Sequence, residues 1–239
     1  APLIGQHVGR ARVAVDAYGF AVCAATLPGD GFRTQHDSIK WSIYEDVRAM
    51  HTRTTAEVYG LFAPLLPQTA RDEFTAQPVR QRQGIVPDLL IQCRICPEGP
   101  LQDVLWEVKT LHYGSSTYPQ SEERCRAVSR RAAAINAEYV AKARALDQRW
   151  LATPAGTVGP LEAKLRSYGE VRSLVFGAWA EASADVVTLL EQAANMIVVR
   201  RGRPTAGDDD DDARRAVYVA LRRRWGLVAL RANAQLLLD

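Results

Sequence analysis

Two apolar, β-prone runs joined by a turn constrain this chain more than anything else in it. Pro87-Asp88-Leu89-Leu90-Ile91-Gln92-Cys93-Arg94-Ile95 and Val104-Leu105-Trp106-Glu107-Val108-Lys109-Thr110-Leu111 flank Cys96-Pro97-Glu98-Gly99-Pro100. The prolines and glycine read as a turn, so the two runs predict an antiparallel hairpin. The midpoint between Asp88 and Glu107 falls inside that turn, at Pro97-Glu98. In a symmetric hairpin these two residues face each other, with Cβ atoms about 5 Å apart. Carboxylates that close repel each other unless a cation lies between them. Mg²⁺ or Mn²⁺ suits such a sparse carboxylate set, completed by water and substrate phosphate. Along the second strand side chains alternate, so Glu107 and Lys109 share a face and Val108 points the other way. A compact ammonium there can favour ionisation of an attacking water or stabilise charge on the phosphorane. The chemistry implied is metal-assisted phosphodiester hydrolysis. The same short pattern also arises as a surface Glu–Lys pair. Its setting inside apolar strands, where charge is costly unless it serves a site, favours the chemical reading.

The rest of the chain supplies an α/β context around a mixed central sheet with flanking helices. Ile39, Ile43, Val47 and Met50 recur at helical spacing, with Asp37 or Ser38 as a cap. Residues 57–66 look extended, and the polar stretch 67–84 reads as a loop. A long helix is expected over 121–151, with Val128, Ala132, Ile135, Tyr139, Leu146 and Trp150 on its apolar face. A short helix near Leu161, a strand within 170–182 and a helix over 184–196 follow. The expected organisation is an irregular lead-in at 1–35, a core at 36–199, an acidic linker at 200–212 and a basic amphipathic helix at 213–239.

Composition narrows the classes. The chain has 239 residues, is 47% hydrophobic and carries 30 Lys+Arg against 27 Asp+Glu. It is neither a disordered chain nor a disulfide scaffold. A net charge of +3 does not by itself announce a nucleic-acid binder. Only Lys40, Lys109, Lys142 and Lys164 are lysines, so Lys109 stands out where arginine is otherwise the rule. No run reaches the roughly 18 to 20 apolar residues of a membrane span. Cys23, Cys93, Cys96 and Cys125 are sparse, which points to a reducing, intracellular compartment. The start lacks Met and a signal-peptide layout, so an excised or processed piece of a longer protein is expected. No P-loop and no G-x-S-x-G signal occurs.

Val86-Pro87-Asp88-Leu89-Leu90-Ile91 followed by Leu105-Trp106-Glu107-Val108-Lys109 resembles the PD-(D/E)XK, or restriction-like, endonuclease superfamily. The coarse element order is similar to that superfamily's αβββαβ core, over roughly His36–Ala182. The resemblance implies a metal-dependent DNA endonuclease. Asp88 and Glu107 would be metal ligands, the Val108 carbonyl a further ligand and Lys109 the catalytic lysine. Glu57 or Glu45 would supply an additional acidic ligand. Asp16-Ala17-Tyr18-Gly19, Cys23 and Gln35-His36-Asp37-Ser38-Ile39-Lys40 look like the lead-in to restriction-like endonuclease domains of eukaryotic mobile elements. That likeness implies DNA and other domains of a larger mobile-element protein as partners, and a nuclear location if the source is eukaryotic. A homodimer is a further possibility. The alternative on the same fold is a nucleic-acid-binding or assembly module that does not cut.

Other residues carry two readings each. His36, at a helix start, could contact a phosphate or be a satisfied structural histidine. Arg126, Arg130 and Arg131 could track the DNA backbone or form a solvated face. Tyr139 could join them along the DNA backbone, but its place in the apolar stripe favours core. Cys93-x-x-Cys96 has metal spacing but lacks a second pair, which favours a core cysteine and a turn cysteine. His112 is a weak candidate. The final helix, with Arg214, Arg215, Arg222, Arg223, Arg224 and Arg231, could grip phosphates or pack with a basic outer face. The five aspartates 208–212 could mask that basic surface or form a solvated linker.

Overall fold

The computed structural model describes residues 6–8, 13–14, 31–50, 53–57, 59–76, 84–94, 99–111, 124–200 and 210–238. His112, Cys23, Cys96, the start of the hairpin turn and the segment 201–209 lie outside the described residues, as does most of the lead-in. The chain is α/β. A four-stranded mixed sheet is accompanied by six α-helices among the described residues.

Two short strands, β1 (His7–Val8) and β2 (Val13–Ala14), pair antiparallel. Helix α1 spans Gly31–Ala49 and begins inside the expected lead-in. Asp37 and Ser38 therefore sit within the helix instead of capping it. Ser38 Oγ donates to the Thr34 carbonyl at 2.7 Å, and Asp37 accepts from Lys40 at 2.8 Å. The expected periodicity holds: Ile39, Ile43 and Val47 are wholly buried.

The first strand of the main sheet, β3, is Thr54–Ala56, just upstream of the segment expected to be extended. Residues 57–66 instead turn, with a 3-10 helix at Ala63–Leu65 that has Pro64 in its first turn. The stretch expected to be a loop holds a helix, α2, at Gln68–Ala76. Ala70 is its one buried residue among those described, so an apolar period was not there to be seen.

β4 (Leu89–Cys93) and β5 (Gln102–Thr110) form the expected hairpin. The sheet order is β3-β4-β5-β6, where β6 is Arg172–Phe176. β3 pairs antiparallel with β4, Thr54 against Ile91 and Ala56 against Leu89. Val104 through Val108 are all buried, so β5 is covered on both faces. β4 alternates buried and half-buried positions. Its Cys93 is buried, and burial pushes the thiol up to about 11, against Trp106 and Arg172.

Helices α3 (Arg124–Trp150), α4 (Pro160–Arg166), α5 (Ala184–Arg200) and α6 (Asp210–Leu238) complete the order. Chain contacts divide the molecule into two compact units. The first comprises 1–51, 108–132 and 174–239; the second comprises 52–107 and 133–173.

In the first unit α6 packs on α1 and α5. Leu221, Trp225 and Ala229, at four-residue spacing, form its buried stripe. Buried Asp46 of α1 accepts from Trp225 Nε1 at 2.8 Å and pairs with Arg224 at 2.8 Å. The final helix is thus a packed element, with Arg222 and Arg223 on its exposed side. Asp210, Asp211 and Asp212 belong to its first turn, not to a linker. Carboxylates there meet the positive end of the helix dipole, and Asp210 and Asp211 also pair with Arg214.

In the second unit a buried polar knot joins α3 to α4. The Asp147 carboxylate, 1% exposed, accepts from the backbone N–H groups of Leu161 at 2.9 Å and Glu162 at 3.0 Å. This caps α4, whose own N-cap, Gly159, has no side chain to offer. Glu162 is fully buried and held by Arg144 and Arg166. The bonds and charges of these guanidiniums outweigh burial and hold its carboxyl below the ordinary range.

Candidate functional site

The second unit contains the carboxylate pair. Leu89 is in register with Trp106 and Leu90 with Leu105. One step further along the same register sets Asp88 across from Glu107, as the turn position required. Asp88 is half-buried at the entry to β4, and Glu107 is 7% exposed within β5. The phenol of Tyr139, on α3, donates to Glu107 Oε2 at 2.5 Å. The same hydroxyl lies 3.3 Å from the carbonyl of Val86, two residues before Asp88. Burial first, then the charge and hydrogen bond of Glu107 and the charge of Asp88, push the Tyr139 phenol well above its ordinary value. The Tyr139 hydroxyl is the donor in its contact with Glu107.

Glu57 reaches this neighbourhood through its backbone. Its N–H donates to the Asp88 carbonyl at 2.8 Å, while its carboxylate accepts from the Tyr59 hydroxyl at 3.3 Å. Glu57 has φ +49°, a left-handed conformation that costs a non-glycine residue about 1–2 kcal/mol. Among the described residues, no three His, Cys, Asp or Glu side chains gather into a metal cage. A donor set of two facing carboxylates fits Mg²⁺ or Mn²⁺, which retain several waters. It does not fit zinc, which wants a fuller set with nitrogen or sulfur donors.

The first unit contains the basic groups. Lys109 is half-buried in β5, two residues after Glu107. Strand alternation gives these two residues one face of β5. Val108 is wholly buried, and its carbonyl accepts from His36 Nε2 at 3.1 Å. His36 Nδ1 lies 3.2 Å from Asp37 Oδ1. Lys40 is 2% exposed and donates to the same Asp37 oxygen. Burial raises the Asp37 carboxyl, but the bonds and charges of Lys40 and His36 outweigh it and hold it below its ordinary value.

His36 thus acts on the backbone of β5, a contact across seventy-two residues that no local pattern encodes. Arg126 and Arg130 are exposed one turn apart on α3, with Arg131 half-buried beside them. Glu45 is exposed on α1.

Tyr139 is half-buried on the expected face, and what sequence reasoning missed is the partner of its hydroxyl. Its place in the apolar stripe pointed to core packing. The available signal was its hydroxyl, since a tyrosine on a buried face must find a partner for its O–H. Lys40 was legible only as one of the scarce lysines.

Among the described residues, no helix is long and apolar enough to cross a membrane. No protein-family model, no curated protein and no solved structure matches the chain.

Proposed function

We propose that the chain is a metal-dependent DNA endonuclease of PD-(D/E)XK type, derived from a mobile genetic element. The observation that carries this reading is the β4–β5 register, which puts Asp88 across from Glu107 beside the buried apolar run Val104–Trp106. The order α1-β3-α2-β4-β5-α3-α4-β6 supports it, because it contains the superfamily's αβββαβ succession with α2 and α4 inserted.

Asp88 and Glu107 would hold the divalent cation, with the Val108 carbonyl, which also accepts from His36, as a further donor. When bound, Mg²⁺ or Mn²⁺ supplies Lewis-acid stabilisation of charge at the attacked phosphate. Lys109 shares the Glu107 face of β5 and offers a compact ammonium to the attacking water or to the phosphorane. Arg126, Arg130 and Arg131 provide cations for backbone phosphates, which do not discriminate sequence. The substrate class is DNA, and a nuclear site of action follows if the source is eukaryotic.

The test is nicking of supercoiled plasmid by the wild type, Asp88→Ala and Lys109→Ala, with Mg²⁺ or Mn²⁺. The wild type is expected to produce open circles, and each substitution to slow this by roughly a hundredfold or more. If the wild type binds DNA but leaves it intact with both metals, a binding or assembly module replaces the nuclease. If it neither binds nor cuts, both readings fall.

A further inference from the structure

The carboxylate pair has a third member that is not a ligand. Glu107 is nearly excluded from solvent, so its carboxyl oxygens need hydrogen-bond partners from the protein. Tyr139 supplies one at 2.5 Å, a short, charge-assisted contact. The phenol has a single proton, and the shorter contact claims it. The 3.3 Å approach to the Val86 carbonyl then fixes where the oxygen can sit. Val86 is followed by Pro87 and Asp88, so one side chain touches both segments that carry the facing acids. Pro87 fixes its own φ, which limits slack between that touch point and Asp88.

We propose that Tyr139 is the positioning residue of this pair. Its hydroxyl orients Glu107 and anchors the approach to Asp88, so both carboxylates are preset for one divalent cation. The proposal rests on the metal-dependent reading above. Tyr139 gives the oriented carboxylate a proton donor without adding a competing positive charge. A lysine or arginine in its place would neutralise Glu107 and weaken the attraction for the cation. Metal sites elsewhere lose roughly 10- to 100-fold in affinity when a partner that orients a ligand is removed.

The experiment measures Mn²⁺ binding to the full chain by electron paramagnetic resonance, with no DNA present. The variants are Tyr139→Phe, Glu107→Gln and the two combined, each checked for folding by circular dichroism. Tyr139→Phe is expected to weaken Mn²⁺ binding by roughly 10- to 100-fold. Its plasmid nicking should recover at saturating Mn²⁺, so the apparent metal constant shifts while the limiting rate stays. In the Glu107→Gln background, Tyr139→Phe should cost clearly less affinity, because the carboxylate it orients is gone and only the touch on the Asp88 segment remains to be lost. Unchanged affinity in Tyr139→Phe, while the wild type binds Mn²⁺, overturns the positioning role and leaves the nuclease reading intact. Equal losses in both backgrounds also overturn it, since that is how general loosening of α3 would behave. If the wild type binds no Mn²⁺, the metal-dependent reading fails and the proposal fails with it.

Discussion

Replacing Gly159 with alanine should damage the second unit more than a single methyl group suggests. A Cβ built at Gly159 would lie 2.3 Å from Asp147 Cγ, 2.4 Å from its Oδ2 and 2.6 Å from its Cβ. The backbone at Gly159 is ordinary extended chain, φ −87° and ψ 175°, so alanine meets no conformational penalty there. The whole cost is steric and lands on one carboxylate. To make room, Asp147 must leave the backbone N–H groups of Leu161 and Glu162. Each buried donor left unsatisfied costs roughly 1–3 kcal/mol, so the pair amounts to roughly 2–6 kcal/mol. A domain of ordinary stability has roughly 5–15 kcal/mol in all.

Urea denaturation of the wild type and Gly159→Ala measures the loss directly. In a chain of this size roughly 2–4 °C of melting temperature accompanies each kcal/mol, so a thermal scan should show a clear drop. The decisive control is the background. Asp147→Ala does not free the space, because the Asp147 Cβ is itself in the way. Asp147→Gly does, and in that background Gly159→Ala should cost little beyond the loss already incurred. A Gly159→Ala protein within about 1 kcal/mol of the wild type would refute the reasoning. So would an equal cost in both backgrounds.

Two further perturbations probe buried charge and a buried indole. The Glu162 carboxyl is held below its ordinary 4.5, so its stabilising effect is complete above that pH and is lost as pH falls through the lowered value. The stability difference between wild type and Glu162→Gln should therefore be present at neutral pH and shrink in strong acid; a difference independent of pH contradicts the pairing. Asp46→Ala orphans the indole N–H of Trp225, 1% exposed, and should cost roughly 1–3 kcal/mol in urea denaturation. Asp46→Asn keeps an acceptor oxygen and should recover much of that, whereas equal losses in the two variants would rule the indole bond out as the cause.

Much of the candidate site was legible before any coordinates. The Asp88–Glu107 register follows from local facts: turn residues fix the hairpin centre, and a period of two then fixes every opposing pair. The α1 core positions were equally plain, because three isoleucine and valine residues at four-residue spacing leave one way to bury them. Helix α2 escaped notice for the converse reason, since with Ala70 alone buried it has no apolar period to show. The aspartates 210–212 read as solvated linker because charge runs usually are, whereas a helix start gives them a dipole to complement.

Sequence alone thus determined which backbone positions face each other across the hairpin and which residues fill the helix faces. These are properties of short-range periodicity and turn chemistry. Only tertiary structure decided that Tyr139, thirty-two residues from Glu107, donates to its carboxylate, and that His36, seventy-two residues from Val108, holds its carbonyl. Such pairings depend on how each helix is rotated about its own axis. A helix's apolar stripe limits that rotation only to a broad face, while a hydrogen bond requires a few tenths of an ångström.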